Sequence, residues 1–162
     1  SISAPIVIAQ HMPPLFTRFL AERLNSISEI PVMELEDNQQ LLPGHAYICP
    51  GGMNIAIEKR DLAFLYPKEK FNYAHSPSVD LLMKTAGKIY GANALCVIMT
   101  GMGADGLEGI REARKSGSYV IAQSESTCTI YGMPKAIIQN NLHNEIADLE
   151  NIADRINMLC SS

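Results

Sequence analysis

Thr100-Gly101-Met102-Gly103-Ala104-Asp105-Gly106 follows an apolar run over residues 94–99 and leads into a helical pattern that begins near Leu107. A buried strand, a glycine-rich turn and a helix start are the parts from which α/β proteins build sites at the carboxyl ends of strands. Glycines leave no Cβ in the way, so backbone N–H groups on such a turn can face an oxyanion or phosphate. The helix end adds partial positive charge. Asp105 stands on this turn. It reads either as a carboxylate that orients a histidine or as a cap for the following helix.

Upstream, Ile6-Val7-Ile8-Ala9 is a β-branched run that reads as a buried strand and delivers His11 through Gln10. A histidine at a strand end can take and return a proton near neutral pH, or be a satisfied polar residue with no chemistry. If the two strands are near neighbours, Asp105 could accept from one ring nitrogen of His11 and leave the other facing a nucleophile.

Between these segments, Pro13-Pro14 stops the first strand, and Phe16, Phe19, Leu20, Leu24 and Ile27 fall at helical spacing. Strands are expected at residues 32–36 and 46–49, and a hairpin at 54–58 and 62–66 around Lys59-Arg60-Asp61. Ser76-Pro77 reads as cap and first turn of a helix carrying Val79, Leu82, Met83, Ala86, Ile89 and Tyr90 on one face. The second half alternates: strand 94–99, helix 107–115, strand 119–122, helix 134–140, then a C-terminal helix marked by Leu149, Ile152, Ala153, Ile156 and Leu159. Continuous apolar strands alternating with helices imply an α/β fold: a doubly wound, mostly parallel sheet with helices on both faces, plus a small hairpin. With 162 residues and no linker or repeat, residues 1–162 read as one domain.

Composition removes several classes. The net charge is −4 and Lys/Arg form no cluster, so no nucleic-acid partner is expected. No apolar run reaches the length of a membrane span, and the first residues lack a basic signal-peptide region, so no membrane insertion is expected. Cys49, Cys96, Cys128 and Cys160 are scattered without metal-ligand spacing and read as reduced packing thiols of a cytoplasmic protein. Cys49 alone lies beside a loop where a nucleophile could act. His45, His75 and His143 read as ordinary histidines, with His75 placed to border a cleft. Gly101 to Gly106 also fits Gly-x-Gly-x-x-Gly by letter. The acidic residue that a dinucleotide site needs about 20 positions on is absent, because that strand ends in Gln123.

Taken together, Ala9-Gln10-His11-Met12-Pro13, Pro43-Gly44 with Tyr47-Ile48-Cys49-Pro50-Gly51, Pro77-Ser78-Val79-Asp80, the 100–106 turn, and Gln123 with Tyr131-Gly132-Met133-Pro134 resemble, in order and spacing, the CheB-type chemotaxis protein-glutamate methylesterase domain. The resemblance covers nearly the whole chain. It implies hydrolysis of glutamyl methyl esters, and deamidation of glutamines, on the cytoplasmic helices of chemoreceptors by a Ser–His–Asp triad. It makes His11 the triad histidine, Asp105 the triad aspartate and the Met102 backbone N–H an oxyanion-hole donor. It implies no metal and no organic cofactor, and it places Tyr131 and Asp80 near the cleft without a chemical role.

Family members open this domain with a strand ending in Gly-Ala-Ser-Thr-Gly-Gly, whose serine is the nucleophile. No such motif precedes His11 here, and no Gly-x-Ser-x-Gly occurs elsewhere. Ser1 and Ser3 lie on the approach to the same strand as His11, too close to serve. The expectation is a domain shortened at its N-terminus, with the first strand, its serine and the first helix outside this chain, and possible upstream receiver domain likewise. The competing reading is a non-catalytic module that binds receptor helices. A parallel sheet missing a strand exposes ladder groups and apolar surface. The 162 residues alone are therefore expected to hydrolyse no ester and to self-associate, as read by methanol release and sedimentation. An active, monodisperse monomer would contradict this.

Overall fold

The β-branched run near the start forms β1 (Ile6–Ile8), and the apolar residues spaced beyond the two prolines form α1 (Phe16–Ile27). The structure is a computed structural model and describes residues 2–161. Ser1, weighed above as a nucleophile, lies outside the described residues. The remaining elements are β2 (Val32–Glu34), β3 (Gln39–Gln40), β4 (Ala46–Ile48), β5 (Met53–Lys59), β6 (Leu62–Pro67), α2 (Val79–Tyr90), β7 (Leu95–Ile98), α3 (Leu107–Lys115), β8 (Tyr119–Gln123), α4 (Met133–Gln139), β9 (Glu145–Ala147) and α5 (Leu149–Cys160). They fall into two compact units: one runs to Leu82 and takes in Ser161, and the other is Met83–Cys160.

In the first unit β1, β4 and β2 form a parallel sheet with β4 in the middle, Ile8 and Glu34 both in register with Ile48. Ala21 of α1 packs with Val32, Ala46 and Ile48, and Ile6, Ile8, Leu20, Leu24 and Ile30 close the cluster. The Asn25 side chain accepts the Val32 N–H at 2.9 Å and so ties the end of α1 to the start of β2. The hairpin expected from the sequence is β5–β6, antiparallel, with Asp61 at φ 59 in its turn. Short β3 adds to the other side of β6, Gln39 opposite Ala63. Two adjacent glutamines carry no apolar alternation, so nothing in the pattern announced this strand.

In the second unit β7, β8 and β9 form a parallel sheet with β8 central. Side chains alternate across it. Leu95, Val97, Tyr119 and Ile121 meet Ile152 and Ile156 of α5, while α3 and α4 pack against β8. The α/β architecture with parallel sheets, flanking helices and a hairpin is the one the sequence implies. The parallel strands are apportioned as two three-stranded sheets, one in each unit. A half-buried ion pair pins α5 to β9: Arg155 donates to both carboxylate oxygens of Glu145 at 2.6 and 3.0 Å, and Tyr119 Oη donates to one of them at 3.1 Å. The Arg155 hydrogen bonds hold the Glu145 carboxyl below the usual carboxylate range.

The start of α2 differs from expectation. Ser78, not Ser76, supplies the cap: its Oγ accepts the Leu81 N–H at 3.2 Å, and the helix begins at Val79. Pro77 precedes the helix, across a cis bond from Ser76. Farther along, Gly87 lets α2 lie directly on α3. A Cβ there would stand 2.6 Å from Ala113 Cα and 2.8 Å from its Cβ. Gly87→Val is expected to lower stability by about 1–3 kcal/mol through overpacking. The urea midpoint checks it, and an unchanged midpoint would mean the two helices separate at no cost.

Candidate functional site

His11 lies just past β1, on a segment held from several sides within its own unit. Thr17, fully buried in the first turn of α1, donates to Glu34 Oε2 at 2.7 Å and accepts the Gly51 N–H at 3.0 Å. That draws the loop after β4 onto the residues following His11. A Cβ at position 51 would sit 2.4 Å from the Met12 carbonyl oxygen and 2.5 Å from that of Pro13, so only glycine fits. The Gly52 N–H donates to the Ser76 carbonyl at 3.1 Å, and the Ser78 N–H donates to the Asn54 side-chain carbonyl at 2.9 Å. Residues 11–13, 50–52 and 75–78 are thereby locked together.

This lock brings the His75 ring against that of His11. Their centroids are 4.5 Å apart and their planes 15° from parallel. His11 is half-buried and His75 exposed. Beside the pair opens a cleft of about 540 Å³ lined by Met12, Pro14, Lys68, Tyr73 and Ser76, large enough for a substrate side chain. The sequence put His75 at the border of a cleft; the stack on His11 joins residues far apart in the chain and has no local signature.

The second unit carries the glycine turn that follows β7. Gln123, fully buried at the end of β8, accepts the Thr100 N–H at 2.8 Å and donates to the Thr127 carbonyl at 2.9 Å. The Thr100 hydroxyl donates to the Ile130 carbonyl at 3.0 Å and accepts the Ile130 N–H at 2.9 Å. The Gly101 N–H donates to Ile130 at 3.1 Å, and the Met133 N–H donates to Gly101 at 2.8 Å. A Cβ at 132 would lie 2.5 Å from the Gly101 oxygen, and one at 101 would lie 2.5 Å from Met133 Sδ. The Tyr131 backbone is bridged in parallel to Gly101. The sequence marks Gln123 by the absence of an acid and by its place in the family resemblance, and neither announces this clamping role. A polar side chain ending an otherwise apolar buried strand was the available signal.

The turn leaves Met102 74% exposed, and among the described residues its N–H has no hydrogen-bond partner. An unpaired amide on a turn at the head of a helix can receive negative charge developing on an oxygen. Asp105 is half-buried on the same turn. The helix-cap position of α3 belongs not to it but to Gly106, at φ 105, a left-handed conformation that glycine adopts freely. Asp80 sits half-buried in the first turn of α2.

Cys49 is unsuited to nucleophilic chemistry. Burial, and then the Glu34 charge, push its thiol up to about 12, and burial pushes Cys96 up to about 12. In the folded protein at pH 8, a maleimide is expected to label Cys128 and Cys160 well before Cys49 and Cys96. In urea all four should label together. Mass spectrometry of timed aliquots checks this, and early labelling of Cys49 would contradict its burial.

A family model described as CheB methylesterase matches residues 1–156. The chain is 46% identical over 158 residues to the protein-glutamate methylesterase/protein-glutamine glutaminase of Lawsonia intracellularis, covering 94% of this chain and 43% of that protein. It is 44% identical over 161 residues to the protein of the same name from Halalkalibacterium halodurans, covering 98% and 46%. The chain thus spans less than half the length of these curated relatives. Its fold superposes on the crystal structure of the Thermotoga maritima CheB methylesterase catalytic domain with a TM-score of 0.91 at 36% identity, covering 98% of this chain and 85% of that one. A seated strand-end histidine, a clamped Thr-Gly-Met-Gly turn and a match along nearly the whole length lead to one assignment: the chain belongs to the CheB methylesterase family.

Proposed function

We propose that this chain forms most of the catalytic part of a protein-glutamate methylesterase and glutamine deamidase acting on chemoreceptor helices in the cytoplasm. The observation that carries the reading is the Met102 turn: the amide of an exposed residue, without a partner among the described residues, on a turn held by a buried glutamine and two threonine contacts. The relatives' names support the same reaction. No helix among the described residues is long and apolar enough to cross a membrane.

In this reading a serine supplied from outside residues 1–162 attacks the ester carbonyl carbon. His11 takes the hydroxyl proton, and the Met102 N–H receives the charge that forms on the carbonyl oxygen. The tetrahedral intermediate collapses, the C–O bond to the methoxy group breaks, and His11 returns the proton so that methanol leaves. Water then attacks the acyl-serine, His11 takes a proton from it, and the serine oxygen leaves with that proton, freeing glutamate. With glutamine as substrate, ammonia leaves in place of methanol. Asp105 holds His11 in the tautomer whose free nitrogen faces the serine.

The test is methanol release from methylated receptor by the full-length protein. His11→Ala should lower kcat/KM by about 10²–10⁴-fold. Asp105→Asn should keep the fold and lower kcat by up to about 10⁴-fold, because the amide permits the wrong tautomer. Full activity of His11→Ala would remove the histidine from the mechanism. Receptor binding without any methanol release would favour the non-catalytic module instead.

A further inference from the structure

We propose that His75 is a positioning residue for His11, acting through the flat face of its ring. The inference rests on the reading of His11 as the general base and adds a group outside the triad.

The geometry carries it. Two rings with centroids 4.5 Å apart and planes 15° from parallel are in offset-stack range. A ring stacked on one face cannot rotate about its Cβ–Cγ bond without losing that contact. Its two nitrogens stay at the ring edge, directed along the plane and away from the stacking partner. A proton-transferring imidazole needs this freedom at its edge together with a fixed plane, because its lone pair must point at the donor.

The segments that carry both rings are fastened by contacts outside the stack. The Gly52 N–H grips Ser76, next to His75, and Asn54 grips Ser78. On the other side, Gly51 lies against Met12 and Pro13, next to His11. Upstream of His75, Phe71 packs edge-on against Tyr66 of β6 with centroids 5.4 Å apart. The loop carrying His75 is thus fastened before and after it, although the ring itself is exposed. An exposed side chain on a segment held this firmly contributes little to the core, and its ring lies on the face of His11.

The experiment compares His75→Ala, His75→Leu and His75→Phe in the full-length protein, using methanol release and the ring-proton NMR resonances of His11. His75→Ala is expected to lower kcat by on the order of 10- to 10²-fold, the size of a small misplacement of a reacting group. KM should stay unchanged. The ring-current displacement of the His11 resonances should disappear. His75→Leu, which fills space without a flat face, should resemble alanine. His75→Phe should restore most of kcat and the displaced resonances. Wild-type kcat in all three variants would overturn the proposal. Equal impairment of the alanine and phenylalanine variants would overturn it too, since stacking would then not be what matters. So would a rise in KM at constant kcat, which would make His75 a substrate contact. The NMR reading needs no turnover. A stack that is seen in a full-length protein that hydrolyses nothing sinks the hydrolase reading, whereas an active enzyme indifferent to position 75 sinks this inference alone.

Discussion

Backbone lies on backbone at Gly51, and the candidate base depends on that contact. The loop after β4 crosses the residues following His11 so closely that a single methyl group would overlap the Met12 and Pro13 carbonyls. Thr17 makes the crossing favourable. Its hydroxyl accepts the Gly51 N–H while donating to Glu34, so one buried group satisfies a loop amide and a strand carboxylate together. Helix α1, strand β2 and the β4 loop meet at one oxygen, and the His11 segment is laid down by their agreement. The prolines at 13 and 14 add stiffness on the same stretch.

The second unit reaches a rigid turn by a different route. Its apolar sheet ends in Gln123, an amide that offers an acceptor to Thr100 and a donor to Thr127. Thr100 then repeats the device with its hydroxyl, giving a hydrogen bond to the Ile130 carbonyl and taking one from the Ile130 N–H. The glycines at 101 and 132 allow the two loops to touch. Such a turn keeps its outward amide fixed before any ligand arrives, which is what electrostatic stabilisation of a developing charge requires.

Much of this was legible in the residues, and the parts that were not share a cause. Strands β1, β2, β4, β5, β6, β7 and β8 and all five helices announce themselves through apolar periodicity, because burial on one face repeats with the element's own period. His11, Asp105 and the Met102 turn stand out because they follow apolar runs directly. Short strand β9 was not among the expected strands, and other features escaped with it. Strand β3 is two glutamines, whose pairing with β6 is decided by the hairpin and not by their own character. The α2 cap fell at Ser78 because Asn54, distant in sequence, claims that residue's N–H. The ring stack joins positions 11 and 75 across several intervening elements. Local pattern reports which face of an element is buried; it is silent on which two loops meet.

The groups of residues 123–133 that grip Thr100 and Gly101 are electrically neutral: an amide, hydroxyls and peptide bonds. None gains or loses charge between mildly acidic and mildly alkaline solution, and counter-ions have nothing there to screen. These contacts with Thr100 and Gly101 are accordingly indifferent to salt and acidity. Charge enters the 100–106 turn with Asp105, so any sensitivity of the reaction to its medium rests on ionisable side chains and not on the contacts that fix the peptide.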